Sequence, residues 1–225
     1  MGGALGSAAL TVPFRTHAEQ DGALAGVVRH LRSGGLLGYP TETVYGLGSL
    51  PTTDALAELA RLKGRPAHKP FLLLVSSRAM AEAAGLVFNP AASALAAAFW
   101  PGPLTLVLPG GEGKLPEGLR GAEGGIAVRH TSHAGIARLV ADLDSPLTST
   151  SANRPGGATA PGADGLVEIF RDAVERGALL VLDGGVLGNV PASTLVDCTS
   201  PVPMLVREGA LPRAELRRAV GRLAP

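Results

Sequence analysis

At 225 residues the chain has the length of one large domain and is short for two. Hydrophobic residues make up 46% and charged residues 17%, which excludes global disorder, and with aromatics at 4% the core must be aliphatic. A formal net charge of +1 neither requires nor excludes a nucleic-acid partner. The single cysteine, Cys198, excludes an internal disulfide and a multi-cysteine metal site, as suits a reducing cytosol.

The first residues, MGGALGSAALTV, read as a flexible leader over 1–15 without the basic start of a signal peptide or the Ser/Thr at position 6 of a myristoylation pattern. Leu24, Val27, Val28 and Leu31 then recur at helical spacing until Ser33-Gly34-Gly35. A strand over Leu36–Tyr39 runs into Pro40-Thr41-Glu42-Thr43, and a second helix follows, with Leu56, Leu59 and Ala60 on one face and Thr52, Thr53 or Asp54 as its cap. Phe71–Val75 and Leu104–Leu108 are apolar throughout, as in strands covered on both faces, and the alanine-rich Pro90–Phe99 between them reads as helix.

Gly110–Gly125 reads as an exposed loop, and Ile126–Arg129 as strand. Ser132 is placed to cap a helix carrying Ile136, Leu139, Val140 and Leu143; Leu166, Ile169, Phe170 and Ala173 repeat the pattern. Strands are expected at Ala178–Leu182, Thr194–Asp197 and Met204–Arg207, and a last helix from Pro212 with Leu216, Ala219, Val220 and Leu223 inward. The expected fold is a single α/β domain over 16–210, with a C-terminal helix packed on it over 211–225. No apolar run reaches the roughly 18–20 residues of a membrane span, and a cytoplasmic protein is expected.

Polar clusters fall at expected strand ends, where open α/β sheets hold ligands: Thr41-Glu42-Thr43, Lys63-Gly64-Arg65-Pro66, Ser149-Thr150-Ser151-Ala152-Asn153, Ser193-Thr194 and Arg207-Glu208-Gly209. Arg offers a planar fork to phosphate or carboxylate and Lys a point charge. Each cluster has a plainer alternative: a self-bonded turn, solvated charges ending a helix, or a polar loop. His130 and His133 form an H-x-x-H without an acidic partner nearby in sequence and read as structural. Trp100 reads as a packing anchor and Cys198 as a quiet strand residue. No Walker loop, H-E-x-x-H or G-x-S-x-G occurs.

The ordered set YPTETVYGLG, KGRP with KPFLLLV, WPGPLTLVLP, IAVRHTSH, LTSTSAN and STLVD with VREG resembles the YrdC/TsaC family from about Leu36 to Gly209. The resemblance implies a twisted open mixed sheet with helices on its faces and a concave ligand cavity. It also implies the activity of a threonylcarbamoyl-AMP synthase, a nucleotidyltransferase. Such an enzyme condenses L-threonine, bicarbonate or CO2 and ATP into threonylcarbamoyl-AMP and pyrophosphate, and a transferase complex passes the product to adenosine 37 of tRNA. Lys63, Arg65, Ser151 and Asn153 match the family's tetrad. Carried over, Lys63, Arg65, Asn153 and Arg207 face ATP, while Thr41, Arg129, Ser151 and Ser193 face threonine. Mg2+ is expected to arrive with ATP, not in a protein cage.

Two positions depart from many family members, which carry Asn at Lys69 and His at Leu74; the chain otherwise resembles the short form without an extra C-terminal domain. The alternative is a non-catalytic module binding double-stranded RNA or tRNA, for which Arg213, Arg217, Arg218 and Arg222 supply a basic face, or a paralogue without threonine activity. Carbamoyl-transfer domains of hydrogenase maturation factors and dihydroxybutanone-phosphate synthases are further rivals. The former carry accessory domains, and the latter an acidic metal cluster that Glu42 alone does not make.

Overall fold

A computed structural model describes residues 11–65 and 69–224. Ten strands among them form one mixed sheet. They are β1 (Val12–Pro13), β2 (Leu36–Tyr39), β3 (Gly46–Gly48), β4 (Leu72–Val75), β5 (Leu104–Leu108), β6 (Ile126–His130), β7 (Leu147–Ser151), β8 (Leu179–Asp183), β9 (Thr194–Asp197) and β10 (Met204–Arg207). Across the sheet the order is β1-β8-β2-β3-β7-β4-β6-β5-β9-β10. Pairs β1/β8, β2/β8, β4/β6 and β5/β9 are parallel, the others antiparallel. The helices are α1 (His17–Arg32), α2 (Thr53–Lys63), α3 (Arg78–Ala83), α4 (Pro90–Phe99), α5 (Ala134–Leu143), α6 (Ala163–Ile169), α7 (Arg171–Glu175) and α8 (Arg213–Val220).

Successive side chains on a strand point to opposite faces, so each strand feeds two layers. On one face Leu37, Tyr39, Leu74, Leu147 and Leu182 pack beneath α1 and α5, which bring Leu24, Val27, Leu31, Ile136, Leu139 and Val140. On the other, Leu36, Leu73, Leu104, Leu106, Val128 and Val196 meet Leu56 and Leu59 of α2, Leu95 of α4, Leu166 of α6 and Leu216 of α8. Gly48 shows how closely the strands approach: a Cβ there would collide with the Thr148 carbonyl of β7.

Local signals set the helix ends. Thr16 and Glu19 form a reciprocal capping box on α1, Thr52 caps α2, and Asn89 caps α4 with Pro90 in its first turn. The α5 cap differs from expectation. It is His133, whose Nδ1 accepts the Ile136 N–H at 3.3 Å, because Thr131 and the Ser132 N–H are drawn to the Glu42 carboxylate instead. Pro212 is the N-cap of α8 rather than its first-turn residue.

Other differences have similarly local causes. Val12 and Pro13 pair with Leu182 and Asp183, and Phe14 is buried at 1% exposure, so a leader does not extend through residues 11–15. Residues 1–10 of that expectation lie outside the described residues, as do Pro66 and Pro225. The helix expected through Leu166–Ala173 is two helices, broken at Phe170 (φ −122, ψ 27), whose ring is anchored in the core. The 110–125 segment is more than an exposed loop. It holds a 3-10 turn at Glu117–Leu119 and buries Leu115 and Leu119, while Arg120 ties the carbonyls of Gly110 and Gly124 together.

Candidate active site

The face carrying α1 and α5 is left uncovered by them over β5, β6, β9 and β10, and there its side chains change character. Strand alternation that places Leu104, Leu106, Val128 and Val196 in the opposite core turns Thr105, Ala127, Arg129 and Leu195 toward a cavity of about 460 Å³. That volume is ordinary for a small-molecule site. Ser149, Thr150 and Ser151 of β7 line it from one side, Arg207 from another, and the Thr41–Val44 turn and Arg65 complete the wall.

Arg129 is 4% exposed and must be paired to be tolerated there. Its Nη2 bonds Glu42 at 2.5 Å, and Nη1 and Nη2 each lie 3.3 Å from Thr43 Oγ1. Nε has no partner among the described residues. Burial alone would raise the Glu42 pKa, but the Arg129 charge and the hydrogen bonds from Thr131 and Arg129 outweigh it and hold the carboxyl below its ordinary value. Thr41 also lines the cavity, yet its hydroxyl is spent in its own turn: it donates to the Val44 carbonyl at 2.7 Å and accepts the Thr43 and Val44 N–H groups.

Arg65 follows the Gly64 cap of α2, whose left-handed φ of 62 turns the chain away from the helix. Its Nε bonds the Lys69 carbonyl at 2.8 Å, Nη2 the Pro70 carbonyl at 2.7 Å and Nη1 the Thr150 hydroxyl at 3.0 Å, while Phe71 lies 4.9 Å from its guanidinium carbon. Among the described residues this leaves one N–H on each terminal nitrogen for a ligand.

Lys63, the last residue of α2, is 5% exposed and bonds Ser151 O, Asn153 O and Asn153 Oδ1. Burial and the neighbouring Arg65 charge push its pKa down to about 8. Lys63 and Asn153 therefore sit beside the cavity wall, whereas Arg65 and Ser151 form part of it.

A β-bulge positions Arg207. Met204 and Leu205 pair with Asp197 and Val196, but Arg207 rather than Val206 pairs with Leu195. The extra residue lets Leu205 pack on the core while Arg207 faces the cavity, which strict alternation forbids. Arg207 Nη2 bonds the carbonyl of Ser193 at 2.9 Å, and Ser193 Oγ lies 2.8 Å from Thr105 Oγ1.

Of the sequence-derived candidates, Thr41, Arg65, Arg129, Ser151, Ser193 and Arg207 line this one cavity. Thr43, Ser149 and Thr150, named only within the polar clusters, line it too, as does Thr105, which sequence reasoning missed because its place in an apolar run hides that it turns inward. Leu74 pairs with Arg129 but is fully buried beneath α5, and Lys69 is exposed beyond β4. His130 lies edge-on to Trp100, whose indole N–H bonds the Leu104 carbonyl at 2.7 Å; both are packing residues. Cys198 is buried, with its thiol pKa pushed up to about 12 by burial. Helix α8, with Arg213, Arg217, Arg218 and Arg222 on it and beyond, packs on α4 at the opposite face of the sheet from the cavity.

An open mixed sheet with a cavity of fixed cations and hydroxyls on its uncovered face defines an α/β protein built to hold a small anionic ligand. The chain belongs to the Sua5/YciO/YrdC family: that family's model, described as telomere recombination, matches residues 29–209. Threonylcarbamoyl-AMP synthase of Pyrococcus abyssi is 34% identical over 194 residues, covering 86% of this chain and 56% of that protein. The Thiobacillus denitrificans protein of the same name is 37% identical over 183 residues, covering 81% and 94%. The crystal structure of Pyrococcus abyssi Sua5 complexed with L-threonine superposes with a TM-score of 0.86 at 32% identity, covering 96% of this chain and 62% of that one. The chain thus spans little more than half of the archaeal relative and nearly all of the bacterial one.

Proposed function

We propose that this protein is a threonylcarbamoyl-AMP synthase, a nucleotidyltransferase that condenses L-threonine, bicarbonate or CO2 and ATP. The observation that carries this is the convergence of Arg65, Arg129 and Arg207 with the hydroxyls of Thr43, Ser149, Thr150 and Ser151 on a single cavity. The relatives' name, threonylcarbamoyl-AMP synthase, and the L-threonine complex of the archaeal one support this reading.

The reaction asks the protein for orientation and charge neutralisation more than for a covalent nucleophile. The threonine amine adds to CO2 and loses a proton, giving a carbamate. A carbamate oxygen then attacks the α-phosphorus while the bond from that phosphorus to the bridging oxygen breaks, and pyrophosphate leaves. Arg129 lines the cavity and supplies the positive charge for the threonine carboxylate, and its pairing with Glu42 keeps the fork from swinging. Arg65 and Arg207 neutralise the phosphates. The donor set does not fit a protein-held Mg2+: the cavity wall is hydroxyl and guanidinium, Glu42 is committed to Arg129, and no cluster of three His, Cys, Asp or Glu occurs among the described residues. Mg2+ accordingly comes in on the triphosphate.

The product would pass in the cytoplasm to a transferase complex acting on tRNA position 37. No helix among the described residues is long and apolar enough to cross a membrane. The test is pyrophosphate release from ATP in the presence of bicarbonate. Release that requires L-threonine is expected; ATP consumption indifferent to threonine, or none, sinks the proposal. Salt-dependent RNA binding without nucleotide consumption would instead favour the non-catalytic alternative.

A further inference from the structure

The hydrogen-bond polarity around Lys63 is fully determined by which groups are able only to donate and which only to accept. An ammonium only donates, and Lys63 Nζ bonds Ser151 O at 2.5 Å, Asn153 Oδ1 at 2.7 Å and Asn153 O at 3.1 Å. At neutral pH the group keeps all three protons, its pKa being about 8, and besides these three acceptors Ser151 Oγ lies 3.4 Å from it. No carboxylate among the described residues pairs with it.

This bonding fixes the Asn153 amide from both ends. The oxygen must face Lys63, and the nitrogen donates to the Gly157 carbonyl at 2.6 Å, a group that only accepts. Ser151 Oγ lies 2.7 Å from the same Asn153 Oδ1. An amide oxygen has no proton to give, so Ser151 must be the donor. Its one hydroxyl hydrogen is thereby turned to the loop behind it, and what Oγ presents toward the cavity that Ser151 lines is a lone pair, not a proton.

We infer that Lys63, Asn153 and Ser151 form a polarity relay in which Lys63 is a positioning residue that touches no phosphate, and Ser151 Oγ presents an acceptor to an N–H of the bound amino acid. The inference rests on the function proposed above for its ligand. Phosphate oxygens carry no proton and cannot use such an acceptor; of the groups on ATP only the ribose hydroxyls and the adenine amine could, and the ATP KM in the test below distinguishes them from the amino acid. The threonine amine has N–H groups, and so has the carbamate formed from it. Holding one N–H on Ser151 fixes the direction of the remaining nitrogen lone pair, which is the orbital that must meet CO2. The cations that reach the triphosphate are then Arg65 and Arg207, which retain N–H groups at the cavity wall, and the role carried over to Lys63 as a nucleotide contact becomes an indirect one.

Four full-length proteins test this: the unaltered chain, K63M, S151A and the double variant, each assayed for kcat and for the KM of ATP and of threonine. A lost hydrogen bond to a charged group costs about 1.5–3 kcal/mol, or roughly 10- to 150-fold. K63M and S151A should each lower kcat over the threonine KM by roughly that factor. The ATP KM should stay within about threefold, and the double variant should be no worse than K63M. Multiplying effects, or an ATP KM raised tenfold in K63M with the threonine parameters unchanged, would overturn the relay.

Failure of the unaltered chain to release pyrophosphate with threonine falls on the functional proposal. The relay is then read directly from nitrogen-15 NMR of the lysine ammonium groups. A caged Lys63 gives a slowly exchanging signal that S151A keeps and N153A abolishes, and absence of that signal from the unaltered chain contradicts the relay.

Discussion

One face of the sheet does two jobs, and its two halves show how. Beneath α1 and α5, Leu37, Tyr39, Leu74, Leu147 and Leu182 are fully buried and apolar. Over β5, β6, β9 and β10 the same face carries Thr105, Ala127, Arg129, Leu195 and Arg207, and it opens into the cavity. The backbone alternation is common to both halves; what changes is whether a helix lies on top. β7 crosses the boundary within a single strand, from Leu147 in the core to Ser149 and Ser151 at the site. A site built this way inherits the rigidity of the sheet without displacing any of the core on its other face.

The sharpest break of the comparison removes a cation from the open half. R65A and R129A are each expected to lower threonine-dependent pyrophosphate release by at least a hundredfold, measured by coupled pyrophosphate assay. R65A should melt within a few degrees of the parent. R129A should not, because it strands Glu42, and E42A strands Arg129 in turn. Losing one partner of a buried ion pair costs roughly 3–5 kcal/mol, readable by urea unfolding. L139A in the covered half should likewise cost about 2–5 kcal/mol, while leaving the KM values of both substrates unchanged. A shift of substrate KM in L139A as large as in R129A would erase the distinction between the halves.

The smallest effect lies at their junction. His133 caps α5 through a neutral Nδ1, and burial lowers its pKa below 6.5 despite the opposing charge of Glu42. The folded protein therefore binds this proton more weakly than the unfolded chain. The cap's stability is complete above pH 6.5 and is lost as pH falls from there through the lowered folded value. H133N, which caps without titrating, should flatten that part of the stability profile, as read by urea unfolding across pH.

Elements were legible in the sequence wherever an apolar run or a helical period marked them, in both halves. Apolar runs announced Leu36–Tyr39 and Leu104–Leu108, and α4 was bounded by the expected Pro90 and Phe99. β7 was hidden because LTSTS is read by its hydroxyls as a loop, although Thr148 is fully buried and Ser149 is turned to the cavity. β3 was hidden because Gly46-Leu47-Gly48 has too few side chains to show a period, and β1 because two residues carry none. In the site, the residue types were visible and their directions were not. Spacing cannot tell that Lys63 turns back into the loop behind the wall, or that a bulge at Val206 re-aims Arg207.

The proposed activity requires nucleotide and amino acid to meet on the uncovered half of the face. Backbone amide shifts of the nitrogen-15-labelled protein, recorded on adding a non-hydrolysable ATP analogue and then L-threonine, test that most directly. Both ligands should perturb the stretches around Thr43, Ala127, Ser151, Leu195 and Arg207 and leave α8 and the α1/α5 interface still. Perturbation centred on α8, or two ligands moving separate surfaces, would contradict it.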